Sequence, residues 1–282
     1  MLRRFIPQSL AQGFRDAVYR IAGRMYFESH PGESSYCVPG QVRSRNLAQA
    51  SELPVPPQSM WLGYGNTVKE YLQSGSRDVS TMLQILKQAA FQVQPGQKIL
   101  EFGCCTGRMI RHLVNSCSDL QLWGADLHAG YIQWDRQNLS PDIHFALCTA
   151  IPHLPFPDQM FDLIFCGSVF THIDEFDGSW LLELARIIRP GGFLYFTIHD
   201  EHTAMLLKTS LRDSSFATRM NADPVYEANC DDFSLICVGR KDQAQVFHHS
   251  EYLQALLPPM LQWESLTHEA YGLQSGVLLK KV

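Results

Sequence analysis

The chain has 282 residues and a mass of 32.0 kDa, which at about 150 residues per domain leaves room for one main core and an appendage. With 45% apolar, 18% charged and 11% aromatic residues, it is too apolar and too weakly charged for a disordered chain, and collagen-like or low-complexity readings are excluded. Its 23 basic and 28 acidic residues give a net charge of −5, so the chain as a whole offers no electrostatic grip for a phosphate backbone, and nucleic acid is not an expected partner.

Residues 1–50 read as a basic amphipathic extension. Arg3, Arg4, Arg15, Arg20, Arg24, Arg43 and Arg45 outnumber Asp16, Glu28 and Glu33, and Phe5, Ile6, Leu10, Phe14, Val18, Ile21 and Tyr26 recur near a helical period. The leading reading is a helix packed on its own domain or on a partner, a homodimer through this helix included; the competing one is a helix on a membrane surface or an anionic substrate. No window approaches the roughly 18 apolar residues of a membrane span, and no signal peptide is apparent, so a cytoplasmic protein is expected. The eight cysteines form no C-x-x-C pair and read as reduced, mostly buried thiols, with no metal site expected.

Residues 51–95 read as a linker and helical lid. Pro54, Pro56 and Pro57 enforce an extended connector as far as Gly63 and Gly65, and two amphipathic helices broken at Gly75 follow over 67–91. The turn at Pro95-Gly96 opens the region 96–282, where short apolar runs alternate with helical segments, the pattern of βα units on a parallel sheet. Strands are expected near 98–102, 120–125, 143–147, 161–166 and 192–198, with helices near 107–116, 129–138 and 177–188. Beyond residue 200 the pattern gives a helix over 202–212, a strand near 234–239, a helix at 250–257 and strands near 260–266 and 275–281.

The chemistry is expected in 98-KILEFGCCTGRMIRHL-113, a strand, a glycine-bearing turn and a helix opening. Gly103 and Gly107 allow a sharp turn and close ligand approach, and backbone N–H groups at the helix start face the crevice. The spacing is E-x-G-x-x-x-G rather than G-x-G-x-x-G, and no Lys-Ser or Lys-Thr pair follows, so a nucleoside-triphosphate loop is excluded and a dinucleotide site disfavoured. Asp126, at the end of the second strand, is placed to accept both hydroxyls of an unphosphorylated ribose. Together these features point to an adenosine ligand without a pyrophosphate.

From about Leu53 onward the sequence resembles the class I S-adenosylmethionine-dependent methyltransferases, most closely a bacterial subgroup associated with saccharides and small molecules. The segments that carry the resemblance are PVPP, ILEFGCCTGR, GADLH, 154-LPFPDQMFDLIFCGSVFTHI-173, 180-WLLELARIIRPGGFLYFTIHD-200 and GVLLKK. The resemblance implies a Rossmann-like α/β fold with seven strands, the last antiparallel, flanked by helices. It also implies S-adenosyl-L-methionine as cofactor, with S-adenosyl-L-homocysteine as product. Carried over residue by residue, Gly103, Cys104, Cys105, Thr106 and Gly107 would line the methionine and ribose, Glu101 would orient the amine or the turn, and Asp126 would hold the ribose beside Leu127. Where similar proteins place an acid for adenine, Cys148, Thr149 and Ala150 stand here, leaving adenine to backbone groups or the Thr149 hydroxyl. Cys166 and Ser168 would shape the cofactor pocket.

If the acceptor is a hydroxyl, a base is needed: His172, after the fourth strand, comes first and His199 second, with Tyr64, Asp200 and His202 on the acceptor side. The expected activity is methyl transfer to a small-molecule acceptor, in the first place a hydroxyl of a saccharide or specialised metabolite. The alternatives are a catalytically silent cofactor-binding protein that docks a partner and, less favoured, an NAD-linked oxidoreductase.

Overall fold

The computed structural model describes residues 53–282 apart from 115, 140–142, 174–175 and 241–243. The basic extension, and with it the proposed dimer helix, lies outside the described residues. Pro54 to Pro57 run extended into a single 3₁₀ turn, and the Trp61 indole N–H closes the segment on the Pro56 carbonyl at 2.8 Å. Trp61 is buried and stacks on Tyr71.

Helix α1 (Val68–Gln88) starts at Thr67, whose hydroxyl accepts the Glu70 N–H, and buries Tyr71, Val79, Met82, Ile85 and Leu86 along one face. It is one helix, not two. The break expected at Gly75 does not occur because this glycine serves a close approach: a Cβ there would lie 2.2 Å from the Arg108 carbonyl oxygen.

The βα alternation is observed as β1 (Lys98–Phe102), β2 (Gln121–Asp126), α2 (Ala129–Asn138), β3 (Ile143–Leu147), β4 (Phe161–Cys166), α3 (Asp177–Ile187) and β5 (Ile188–Ile198). The expected helix over 107–116 is instead a series of turns and a short 3₁₀ segment, Ile110–Leu113. A side chain diverts the backbone there: the Ile110 N–H donates to Glu101 Oε2 at 2.9 Å rather than to a helical carbonyl.

After β5 come α4 (Glu201–Lys208), α5 (Ser215–Asn221), α6 (Pro224–Asn229), β6 (Leu235–Val238), β7 (Gln245–His248), α7 (Ser250–Ala255), β8 (Leu261–Tyr271) and β9 (Gln274–Lys281). The seven-stranded sheet has the order β3-β2-β1-β4-β5-β9-β8. Pairs among β1 to β5 are parallel, while β9 runs antiparallel to both β5 and β8. Six strands therefore share one direction and the last in sequence opposes them, as expected. The strand order reverses beside β1, so the crevice past the carboxyl ends of β1 and β4 is where such sheets take ligands.

Two apolar layers cover the sheet. One joins α1 to Ile99, Leu163, Phe165, Tyr195 and Leu278; the other joins α3 to Leu100, Ile164, Leu194, Phe196 and Val277. Burial on both faces explains the uninterrupted apolar runs of the central strands. Between β5 and β8 the chain builds a small cap with its own core, in which Leu207, Met220, Tyr226, Ile236 and Phe247 pack together. Strand β7 fastens the cap to the sheet, Val246 N–H donating to the Thr171 carbonyl and His248 N–H to the His199 carbonyl, both at 2.8 Å. No helix among the described residues is long and apolar enough to cross a membrane.

Replacing an interior helical glycine by alanine ordinarily stabilises by up to about 1 kcal/mol. Gly75→Ala should instead destabilise by about 1–3 kcal/mol, because its methyl overlaps a fixed backbone oxygen. Urea unfolding measures this, and a stabilised variant would contradict the packing described.

Candidate functional site

The turn after β1 is drawn tightly across the end of β2. Gly103 and Cys104 both donate their N–H groups to the Ala125 carbonyl, at 2.8 and 3.2 Å, and Gly107 N–H closes on the Cys104 carbonyl at 2.8 Å. Gly103 has φ +76°, and a Cβ on it would sit 2.3 Å from Val169 Cγ2, so both conformation and space require glycine. Cys105 adopts φ +48°, a strained choice for a residue with a side chain. Its N–H donates to Asp126 Oδ2 at 2.9 Å, which compensates. The other oxygen of Asp126 accepts the His128 N–H at 2.7 Å. The Cys105 side chain also hydrogen-bonds the Asp126 carboxyl, which still leaves acceptor capacity for a hydroxyl. Thr106 is buried with its hydroxyl 3.0 Å from that of Tyr71, so it packs against α1.

Three buried carboxyls surround this turn. Burial pushes Glu101 up to about 8, with Asp126 adding to the rise and the Ile110 N–H, Arg108 and Arg111 opposing it. Asp126 is raised by burial against the pull of its two backbone N–H donors. Asp135 is raised well above the carboxylate range by burial and then by Asp126 and Glu101. Its Oδ1 has no hydrogen-bond partner. Such a cluster favours a cationic ligand, whose charge would restore the ionised carboxylates.

Next to the turn, Leu127 is half-buried, Ala150 is exposed, and the Thr149 hydroxyl accepts the Ile151 N–H at 3.3 Å. The backbone around Leu127 and Ala150 remains for a base to meet. Cys166 is fully buried, its thiol 3.8 Å from the Tyr195 carbonyl, and belongs to the sheet's core. Ser168, at φ +58°, stands at the rim in a polar cluster. Its N–H donates to the Thr197 hydroxyl at 2.7 Å, and its hydroxyl receives Gln274 Nε2 at 2.9 Å.

Tyr64 reaches the site with residues that the sequence did not single out. The Arg108 guanidinium lies 3.9 Å from the centre of the Tyr64 ring, pairs with Asp78 at 2.8 Å and donates to Ser74 and to the Tyr271 hydroxyl. The Tyr271 hydroxyl donates in turn to that of Tyr64 at 2.9 Å. This lock joins α1, the turn after β1 and the β8–β9 hairpin, with Arg108 and Tyr271 alone 163 residues apart in sequence, a distance that no local pattern spans.

Of the residues expected on the acceptor side, His172 has Nδ1 2.7 Å from the Ala244 carbonyl oxygen, just ahead of β7. His199 is buried between Phe216 and Phe247. Burial first, and then His172, pushes its imidazole down to about 3, so it is a neutral packed group rather than an exposed base. The Asp200 carboxylate caps α4 through the Thr203 N–H at 2.9 Å and meets His268 Nδ1 at 3.3 Å. His202 stacks on His268 and pairs with Glu269 at 3.1 Å. The structure thus gathers Glu101, Gly103, Cys105 and Asp126 at one turn, and His172 and His199 at the joint with the cap. Asp200 and His202 are held in a separate cluster at the start of α4.

Residues 100–196, about a third of the chain, match the family model described as a methyltransferase domain. A curated relative, the "Probable methyltransferase PMT20" of Arabidopsis thaliana, is 34% identical over 97 residues, which are 30% of this chain and 16% of that protein. The match thus spans under a fifth of that relative's length. Among solved structures, the PH0226 protein of Pyrococcus horikoshii aligns with a TM-score of 0.53 and 16% identity, covering 78% of this chain and 95% of that one. Magnesium protoporphyrin IX methyltransferase of Synechocystis, with bound SAH, aligns at TM-score 0.52 and 13% identity, covering 78% and 90%.

The fold is therefore the Rossmann-like methyltransferase fold, and the segment that builds the turn and β2 to β5 is the part that matches the methyltransferase domain model. The cofactor of this class is S-adenosylmethionine, and the glycine cradle, the ribose-ready carboxylate and the surplus of buried acids fit it. Asp126→Ala should weaken calorimetric binding of the cofactor by about 1–3 kcal/mol, the cost of unmatched polar partners. Unchanged affinity would place the ribose elsewhere.

Proposed function

We propose that the protein is an S-adenosylmethionine-dependent methyltransferase whose acceptor is a small molecule, a hydroxyl of a saccharide or specialised metabolite. The single observation that supports this most is the cluster of Glu101, Asp126 and Asp135 around a turn that only glycine can make, a buried acidic surround suited to a cationic nucleoside. When bound, S-adenosylmethionine supplies a methyl group on a sulfonium, already activated toward a nucleophile.

The chain's own residues then hold, orient and exclude water. Asp126 would take the ribose hydroxyls, Glu101 the ammonium, and the backbone of Gly103 to Gly107 the space beside them. Backbone groups near Leu127, Thr149 and Ala150 would meet the adenine. The Tyr64–Arg108–Tyr271 lock closes the lid side of the crevice and limits entry of water. A hydroxyl acceptor must lose a proton, and His172, in the loop after β4, is the group assigned to receive it.

Glu101 links binding to pH. In the free protein it holds its proton up to about pH 8, and an ammonium beside it favours the carboxylate. Binding then expels a proton, so affinity rises as the pH increases toward about 8 and levels off above it. Calorimetry in buffers of different ionisation enthalpy should show that release; an affinity independent of pH would remove Glu101 from contact with the cofactor. His172→Ala should lower turnover of a hydroxyl acceptor by about 10²–10⁴-fold and leave cofactor affinity intact. Wild-type turnover in that variant would exclude His172 as the base.

A further inference from the structure

An imidazole can act as a base only if the correct nitrogen is free of hydrogen, and a second group must enforce that choice. At His172 the partner of Nδ1 is the Ala244 carbonyl, 2.7 Å away. A carbonyl can only accept, so Nδ1 carries the hydrogen and Nε2 is the basic nitrogen. Ala244 belongs to the cap, immediately before β7, while His172 belongs to the loop after β4. The two are brought together by the β7 anchor on Thr171 and His199.

Gln245 reinforces the arrangement. Its Nε2 donates to the same Ala244 carbonyl at 2.9 Å and lies 3.5 Å from His172 Nδ1, two donors sharing one acceptor. The same side chain hydrogen-bonds His199. It thereby links both histidines to the cap strand.

We propose that the cap sets the base: the Ala244 carbonyl and the Gln245 side chain fix His172 as the Nδ1–H tautomer, and Gln245 is a positioning residue for the methyl-transfer reaction. The catalytic part of this rests on the base role proposed for His172; the tautomer does not. The base is complete only with β7 docked, which couples folding of the cap to competence for proton removal. Among the described residues, His199 at the end of β5 faces this joint, and His248 on β7 and Arg219 on α5 act on it with His172.

The test uses the full chain, first without cofactor. Nitrogen-15 NMR of labelled histidine should show His172 with a protonated Nδ1 and a bare Nε2 at neutral pH. Gln245→Glu sets a carboxylate beside the ring and should raise the His172 titration by about one pH unit, moving the acid limb of kcat/KM with it. Gln245→Leu should cut kcat about tenfold with KM for S-adenosylmethionine unchanged. A His172 that carries its proton on Nε2 in the wild type overturns the proposal even if neither variant folds. So does a folded Gln245→Glu protein in which the titration stays put. Full turnover by His172→Ala in the same assay would sink the base assignment and leave the tautomer result to stand by itself.

Discussion

One buried carboxylate organises the crevice. Asp126 accepts a backbone N–H from each side, Cys105 on the turn after β1 and His128 at the start of α2. Two adjacent βα units are thereby drawn onto one side chain. Removing a carboxylate from water is costly unless its oxygens are satisfied, and these two donors meet that need while leaving acceptor directions open to a ligand. The left-handed Cys105, the close approach of Gly103 to Val169 and the surrender of the Ile110 N–H to Glu101 are all consequences of a turn held this tightly. The strain is local, and the packed sheet beneath over-determines it.

Around that point the molecule separates its tasks. The central strands supply rigidity through burial on both faces, and the Arg108 lock ties α1 to the final hairpin. The cap, inserted between β5 and β8, brings the Ala244 carbonyl and Gln245 to His172. Such an insertion can change without disturbing the cofactor turn, because it has its own core and meets the sheet through a short strand and a few backbone hydrogen bonds. That division is how one fold serves different acceptors.

The legible parts of the sequence were those whose physics is local. β1 and β4 fall where their apolar runs place them, because both are buried on the two faces of the sheet, and β3, an edge strand with His144 exposed, is marked by its alternation of buried and exposed residues. Asp126 was legible from its place at the end of a strand after a glycine-bearing turn. The helix expected at 107–116 failed because a distant side chain, Glu101, captures a backbone donor that periodicity assigns to the helix. Gly75 misled for the opposite reason: it marks a close contact, and the helix continues through it. Strand β7 and helices α5 and α6, of four, seven and six residues, were missed: helices of two turns or fewer show little period, and β7 carries the polar Gln245 and His248 around two apolar residues. Arg108, Tyr271 and Gln245 gain their roles from partners that only the tertiary fold supplies, so no spacing announces them.

The central claim is that the turn after β1 and Asp126 hold an adenosine-bearing sulfonium cofactor. A crystal structure with S-adenosylhomocysteine bound tests it most directly. The account requires the ribose hydroxyls within hydrogen-bonding distance of Asp126 and the homocysteine against the Gly103–Gly107 backbone; a nucleoside bound elsewhere, or a crevice that stays filled by its own side chains at saturating ligand, would contradict it.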